Sequence, residues 1–192
     1  MKKGIAKVGY FTITNDASDG TPKYGAINWL ESKLSGGREF SSEPVGEMSE
    51  IYADSILVYS AEENSGYEHK LTLIDIVDKI FEDLIGFKVE ADGSIAEYAD
   101  GAERPYFGLV IAENTTVGKK YAISVYYNSQ VSKRPSKSGK TSEGKFDPQF
   151  PEVEIKSRPR ESDMLVCYTK RADALPDAVP EPEKDAPAEG GA

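Results

Sequence analysis

Tyr67-Glu68-His69-Lys70-Leu71-Thr72-Leu73 is the stretch that decides the fold. Tyr67, His69, Leu71 and Leu73 fall on one face of an extended chain, and Glu68, Lys70 and Thr72 on the other. At Asp75 the period changes. Ile76, Val77, Ile80, Phe81, Leu84 and Ile85 recur at helical spacing, which predicts a helix at about 75–85 with its apolar stripe on a sheet. Asp75 is read as its N-cap and Gly86 as the residue that ends it.

Strand signals surround this junction. Ile5–Thr14, Ile51–Ala61, Pro105–Glu113, Lys119–Asn128, Val153–Lys156 and Met164–Thr169 are rich in β-branched and aromatic residues. Phe87–Tyr98 carries Asp92-Gly93 at its centre, a hairpin signal. Asn15–Gly20 is a turn cluster, and 21–50 reads as one long loop containing Gly25, Gly36, Gly37 and Gly46. The expected architecture is mainly β (α+β): two packed antiparallel sheets, sandwich- or barrel-like, with one flanking helix.

The chain has 192 residues, enough for one domain with a real core. Asp and Glu number 33 against 23 Lys and Arg, a net charge of −10, which disfavours tight nucleic-acid binding by the surface as a whole. Residues 172–192 carry Asp173, Asp177, Glu181, Glu183, Asp185 and Glu189 against Lys184 alone. With four prolines and no aromatic, they read as a disordered acidic tail beyond a 1–171 β domain. No run suits a membrane span, and Met1-Lys2-Lys3-Gly4 lacks the apolar stretch of a secretory signal.

Catalytic chemistry finds little support. Cys167 is the one cysteine and His69 the one histidine, so neither a disulfide framework nor a zinc site is expected. His69 shares its face with Tyr67 and Leu71, as a structural histidine would. Gly139-Lys140-Thr141 lacks the earlier glycine and following helix of a phosphate loop. Asn15–Gly20 has Ala17 where a calcium loop needs an oxygen ligand. No catalytic residue, metal or cofactor is expected. The one cationic cluster is the loop of Lys133, Arg134, Lys137 and Lys140.

Gly46-Glu47-Met48-Ser49-Glu50-Ile51-Tyr52-Ala53-Asp54-Ser55, followed by Glu63-Asn64-Ser65-Gly66-Tyr67, resembles the major tail proteins of long, non-contractile-tailed bacteriophages. Arg104-Pro105-Tyr106-Phe107-Gly108, Tyr126-Tyr127-Asn128 and Val131-Ser132-Lys133-Arg134-Pro135 resemble later elements of that family, so the likeness runs from about Val8 to Thr169. Trp29 and the stretch 28–33 depart from it. The resemblance implies a tail tube subunit whose fold is similar to that of type VI secretion tube proteins. It further implies that copies close into hexameric rings and that the rings stack into the conduit for genome ejection. Expected partners are the chain itself, a tape measure protein, a tail terminator and distal tail proteins. DNA would pass without specific binding. The location would be the virion tail, assembled in the cytoplasm of the bacterial host, without a membrane. Contacts between subunits or rings are expected at Gly36, Gly37, Arg38, Gly46, Glu47 and Tyr52. Glu47, Glu50, Asp54 and Glu68 are candidates for an acidic lumen. The alternative is a β-sandwich binding module for cell-surface carbohydrate, suggested by 11 tyrosines and Trp29.

Overall fold

The computed structural model describes residues 2–15, 21–46, 48–53, 56–62, 64–97, 104–116, 118–133, 135 and 149–182. Its strands are β1 (Lys2–Asn15), β2 (Pro22–Tyr24), β3 (Asn28–Trp29), β4 (Gly37–Val45), β5 (Met48–Ala53), β6 (Ile56–Glu62), β7 (Gly66–Leu73), β8 (Lys88–Val89), β9 (Ile95–Ala96), β10 (Phe107–Thr115), β11 (Tyr121–Lys133), β12 (Glu152–Ser157) and β13 (Cys167–Ala172). Nine of them form one antiparallel sheet in the order β2-β1-β10-β11-β12-β7-β4, with β3 on β1 and β13 on β11. The fold is mainly β, as the alternation around His69 predicts.

β11 is the hinge of this sheet. One edge carries β10, while the other takes β13 along Tyr121–Tyr126 and β12 along Ser129–Lys133. The β12-β7-β4 half therefore diverges from the rest and folds back over β1 and β10. Val8, Leu109 and Ile111 meet Leu71, Leu73, Val153 and Ile155 in the space between, and Ile76, Ile80, Leu84 and Ile85 join the same cluster. Gly37 of β4 comes against the Val8 side chain, yet no hydrogen-bonded ladder joins β1 to β4. The two packed layers are thus halves of one folded-over sheet, not closed into a barrel.

The opposite face of β1, β10 and β11 is buried too. Phe11, Val110, Ala112, Ile123, Val125 and Tyr127 form a second core, packed against Tyr24, Trp29, Leu165, Tyr168, Leu175 and Val179. Burial on both faces explains the near-continuous apolar run of β10, Phe107-Gly108-Leu109-Val110-Ile111-Ala112.

The predicted helix is real but shorter. The Asp75 carboxylate accepts the Ile76 N–H at 2.8 Å, a local turn that leaves Val77, not Asp75, at the cap position. One α turn, α1 (Asp78–Ile80), continues as a wider π-helical turn over Phe81–Ile85. Gly86 ends it in the left-handed conformation, φ 80°, as its position predicts. The Tyr10 hydroxyl donates to Asp83 at 2.6 Å and ties this segment to β1. Burial, then the adjacent carboxylate, pushes the Tyr10 phenol up. The Asp92-Gly93 hairpin is present as β8–β9.

Three expectations need correction. First, 21–50 is not a single loop, because it contains β2, β3, β4 and the start of β5. β4 escapes a hydrophobicity reading because it is an edge strand. Phe40 and Ser42 turn inward, with Ser42 within 3.5 Å of the Tyr126 hydroxyl, while Glu39, Ser41 and Glu43 are exposed. Pro44 is tolerated at such an edge. Second, 51–61 is not one strand but most of the β5–β6 pair. Third, 172–182 belongs to the folded domain rather than to a disordered tail. The Trp29 indole N–H donates to the Pro176 carbonyl at 2.9 Å, and the Ile27 N–H to that of Asp177 at 3.0 Å. The Tyr127 hydroxyl donates to the Pro180 carbonyl. Leu175 and Val179 supply the apolar contacts, and the prolines leave free carbonyls as acceptors. Residues 183–192, and the turn at 16–20, lie outside the described residues.

Candidate functional site

Two features stand out from the body of the sheet. The first is the β5–β6 hairpin. It continues the β4–β7 pair, in which Val45 faces Gly66, and resumes with Met48 opposite Glu62. It forms a two-stranded sheet of its own, with a register shift between Ile51 and Tyr52. A six-residue strand extends about 20 Å. Gly46 is exposed where the chain passes from β4 into this arm. Tyr52 and Glu50 occupy β5, opposite Leu57 and Ser60 respectively. Glu47 and Asp54 lie outside the described residues.

The remaining contact candidates sit elsewhere. Gly36 and Gly37 are at the far end of β4. Gly36 is buried, and its carbonyl accepts the Ile74 N–H at 2.9 Å. Arg38 is exposed beside them, 4.1 Å above the Phe150 ring. Gly36, Gly37 and Arg38 are thus at one end of the nine-residue β4, and Gly46 is at the other, with Tyr52 further along in β5.

The second feature is the solvent face of β4, β7 and β12. Register places Glu39, Thr72 and Glu152 in one row, Ser41, Lys70 and Glu154 in the next, and Glu43, Glu68 and Lys156 in the third. Five carboxylates thus share the face with two lysines. Glu43 stands directly opposite Glu68, a pairing that costs stability by itself. Lys156 reaches Glu68 at 2.7 Å and partly offsets it. Glu68 is thus the only lumen candidate whose side chain is described, and it lies on this acidic face. At the end of β11, Lys133 is exposed and pairs with Glu154 at 3.2 Å. Arg134, Lys137 and Lys140 lie outside the described residues.

Next to this face, Arg104, Tyr106, Asn128, Gln130, Lys156 and Arg158 surround a cavity of about 260 Å³. No carboxylate is among its described lining. Arg104 donates to the Val131 and Ser132 carbonyls, and the Gln130 amide donates to the Arg104 carbonyl at 2.8 Å. Sequence patterning did not single out this cluster, because its cations are spread over positions 104–158.

His69 is fully buried, as its place on the apolar face predicts. Its ring lies between Phe40 and Tyr67, with the Tyr126 ring edge-on at 4.4 Å. Nε2 lies 2.9 Å from the Ser157 hydroxyl, which is 2.7 Å from that of Ser129. Nδ1 is buried with no hydrogen-bond partner among the described residues. A second ring proton would point at carbon, and burial lowers the pKa from 6.5 to about 4. The folded state binds this proton less readily than the unfolded chain. The contribution is therefore complete above pH 6.5 and is lost as pH falls towards 4, worth roughly 3 kcal/mol over the whole interval. Urea unfolding at pH 7 and pH 5 should show this loss in the parent and little of it in His69→Gln. An equal loss in both would remove His69 as the source.

Among the described residues, no group of three or more His, Cys, Asp or Glu side chains could hold a metal, and no helix is long and apolar enough to cross a membrane. No protein-family model and no curated protein matches the chain.

Proposed function

We propose that this chain is a tail tube subunit of a long, non-contractile-tailed bacteriophage, a structural protein of the virion that acts by assembly and not by catalysis. The observation that carries the reading is the β5–β6 arm. An isolated two-stranded hairpin is marginally stable at best in water. An arm that pairs only with itself among the described strands is best understood as completed by another copy. β4 offers a free sheet edge beside it, and such edges are commonly covered by a neighbouring chain. Heterologous contacts of this kind close into rings when the rotation between neighbours closes. The acidic face that includes Glu68 suits a lumen lining, since it would repel the phosphates of DNA in transit. A tape measure protein, a terminator and distal tail proteins would set the length and cap the ends of such a tube.

Electron microscopy and sedimentation of the purified full chain test this reading. Rings, or tubes of stacked rings, are expected as concentration rises. A monomer at every concentration that binds glycans would instead favour the carbohydrate-binding module.

A further inference from the structure

Two adjoining cavities form one groove. The cationic cavity meets a second, of about 540 Å³, at Tyr106, Asn128 and Arg158, which line both. In a chain of net charge −10, the first presents Arg104, Lys156 and Arg158 with no carboxylate among its described lining. Arg104 uses one terminal nitrogen on the Val131 and Ser132 carbonyls. This fixes the guanidinium and leaves its charge and its other N–H donors available. Lys156 shares its charge with Glu68 at 2.7 Å, and Arg158 is exposed. The Asn128 amide donates to the Pro159 carbonyl at 3.3 Å, and the Gln130 amide to that of Arg104 at 2.8 Å. Both amides are held through nitrogen, so what each offers a ligand is its oxygen, an acceptor for hydroxyl groups. Tyr106 is 49% exposed. The second cavity continues the groove with Pro22, Tyr24 and Met164 in its wall. Its own cation, Arg160, is already held bidentate by Asp163. Met164 is 69% exposed and sits at φ 59°, a backbone conformation that costs a long side chain free energy and that clusters at binding sites.

We propose that this groove binds a sugar phosphate. The phosphate lies among Arg104, Lys156 and Arg158. The ring hydroxyls donate to the Asn128 and Gln130 oxygens, and the C–H face of the ring lies on Tyr106. Three cations suit a dianion better than a single carboxylate, and a planar guanidinium matches the spacing of phosphate oxygens. The cationic cavity, at about 260 Å³, leaves room for the sugar beside the phosphate. A concave site with an apolar wall and a few convergent polar groups is the usual form of a small-molecule site. All of these residues belong to one chain, so the site does not depend on assembly.

Calorimetric titration of the full-length chain with glucosyl phosphate tests the assignment. Saturable binding is expected, roughly tenfold tighter than for inorganic phosphate, glucose or glucuronate. Arg158→Ala should weaken it roughly tenfold and Tyr106→Ala about threefold. Both variants should melt with the parent, since both side chains are exposed. Equal affinity for inorganic phosphate would reduce the groove to a bare anion site and overturn the sugar assignment. Equal affinity for glucuronate, variants that bind as the parent does, or no binding at all would overturn it too. Tighter binding of a single-stranded oligonucleotide, lost in the same variants, would overturn it in favour of nucleic acid. Sedimentation of the same samples reports assembly separately. Rings without binding would remove this site and leave the tube reading standing, and binding without rings would do the reverse.

Discussion

A chain ended at Ala172 is expected to be about 3–5 kcal/mol less stable than one ended at Pro182. The difference lies in 173–182. Removing it uncovers the second core where Leu175 and Val179 pack, and it deprives Trp29 and Tyr127 of their carbonyl acceptors. A half-buried aliphatic side chain contributes roughly 1 kcal/mol, and each of the two hydrogen bonds about as much again. The Arg160 guanidinium adds a smaller share. It stacks 4.6 Å from the Tyr127 ring, is held bidentate by Asp163 at 2.6 and 2.7 Å, and lies 3.6 Å from Glu181. In a domain of this size the loss corresponds to a melting temperature lower by on the order of 10 °C. Thermal scans of the two truncations decide the matter. Equal melting temperatures would mean that the segment adds nothing to the fold.

Gly108→Ala should cost about 3 kcal/mol or more. Gly108 pairs with Phe11 across β1 and β10, and a Cβ at this position would overlap the Phe11 ring. The ring cannot swing aside. It is fully buried, with Tyr24 at 5.3 Å and Tyr127 at 6.4 Å, both edge-on or nearly so. Phe11→Leu in the same chain should relieve part of the clash. The double variant would then be more stable than the sum of the single effects predicts. Strict additivity in chemical denaturation would show that ring and glycine do not press on each other.

Elements that bury large apolar side chains were legible in the sequence. The alternation at Tyr67–Leu73, the apolar run of β10, the helical stripe and its terminating Gly86 all report directly on what each side chain touches. β4 was not legible, because an edge strand needs only Phe40 and Ser42 to face inward and leaves the rest polar. The docking of 173–182 was hidden for a different reason. Its fastening is largely by backbone carbonyls, which are the same in every residue type. The cationic cavity was also invisible, since Arg104 and Arg158 become neighbours only when the Arg104 segment lies beside β11 and β12. The arm was half legible: its residues carried the family likeness, but its break into two strands depended on pairing that no local pattern announces.

The pairing of β1 with β10 joins the first strand of the chain to one that begins at Phe107. During synthesis at about 5–20 residues per second, the amino-terminal strand therefore waits roughly 5–20 s for its mate to leave the ribosome. Until then β1 has only the short local strands β2 and β3 to pair with, and such a long-range closure is slow to form. Yield in the cell should therefore depend on translation speed before position 107 more than after it.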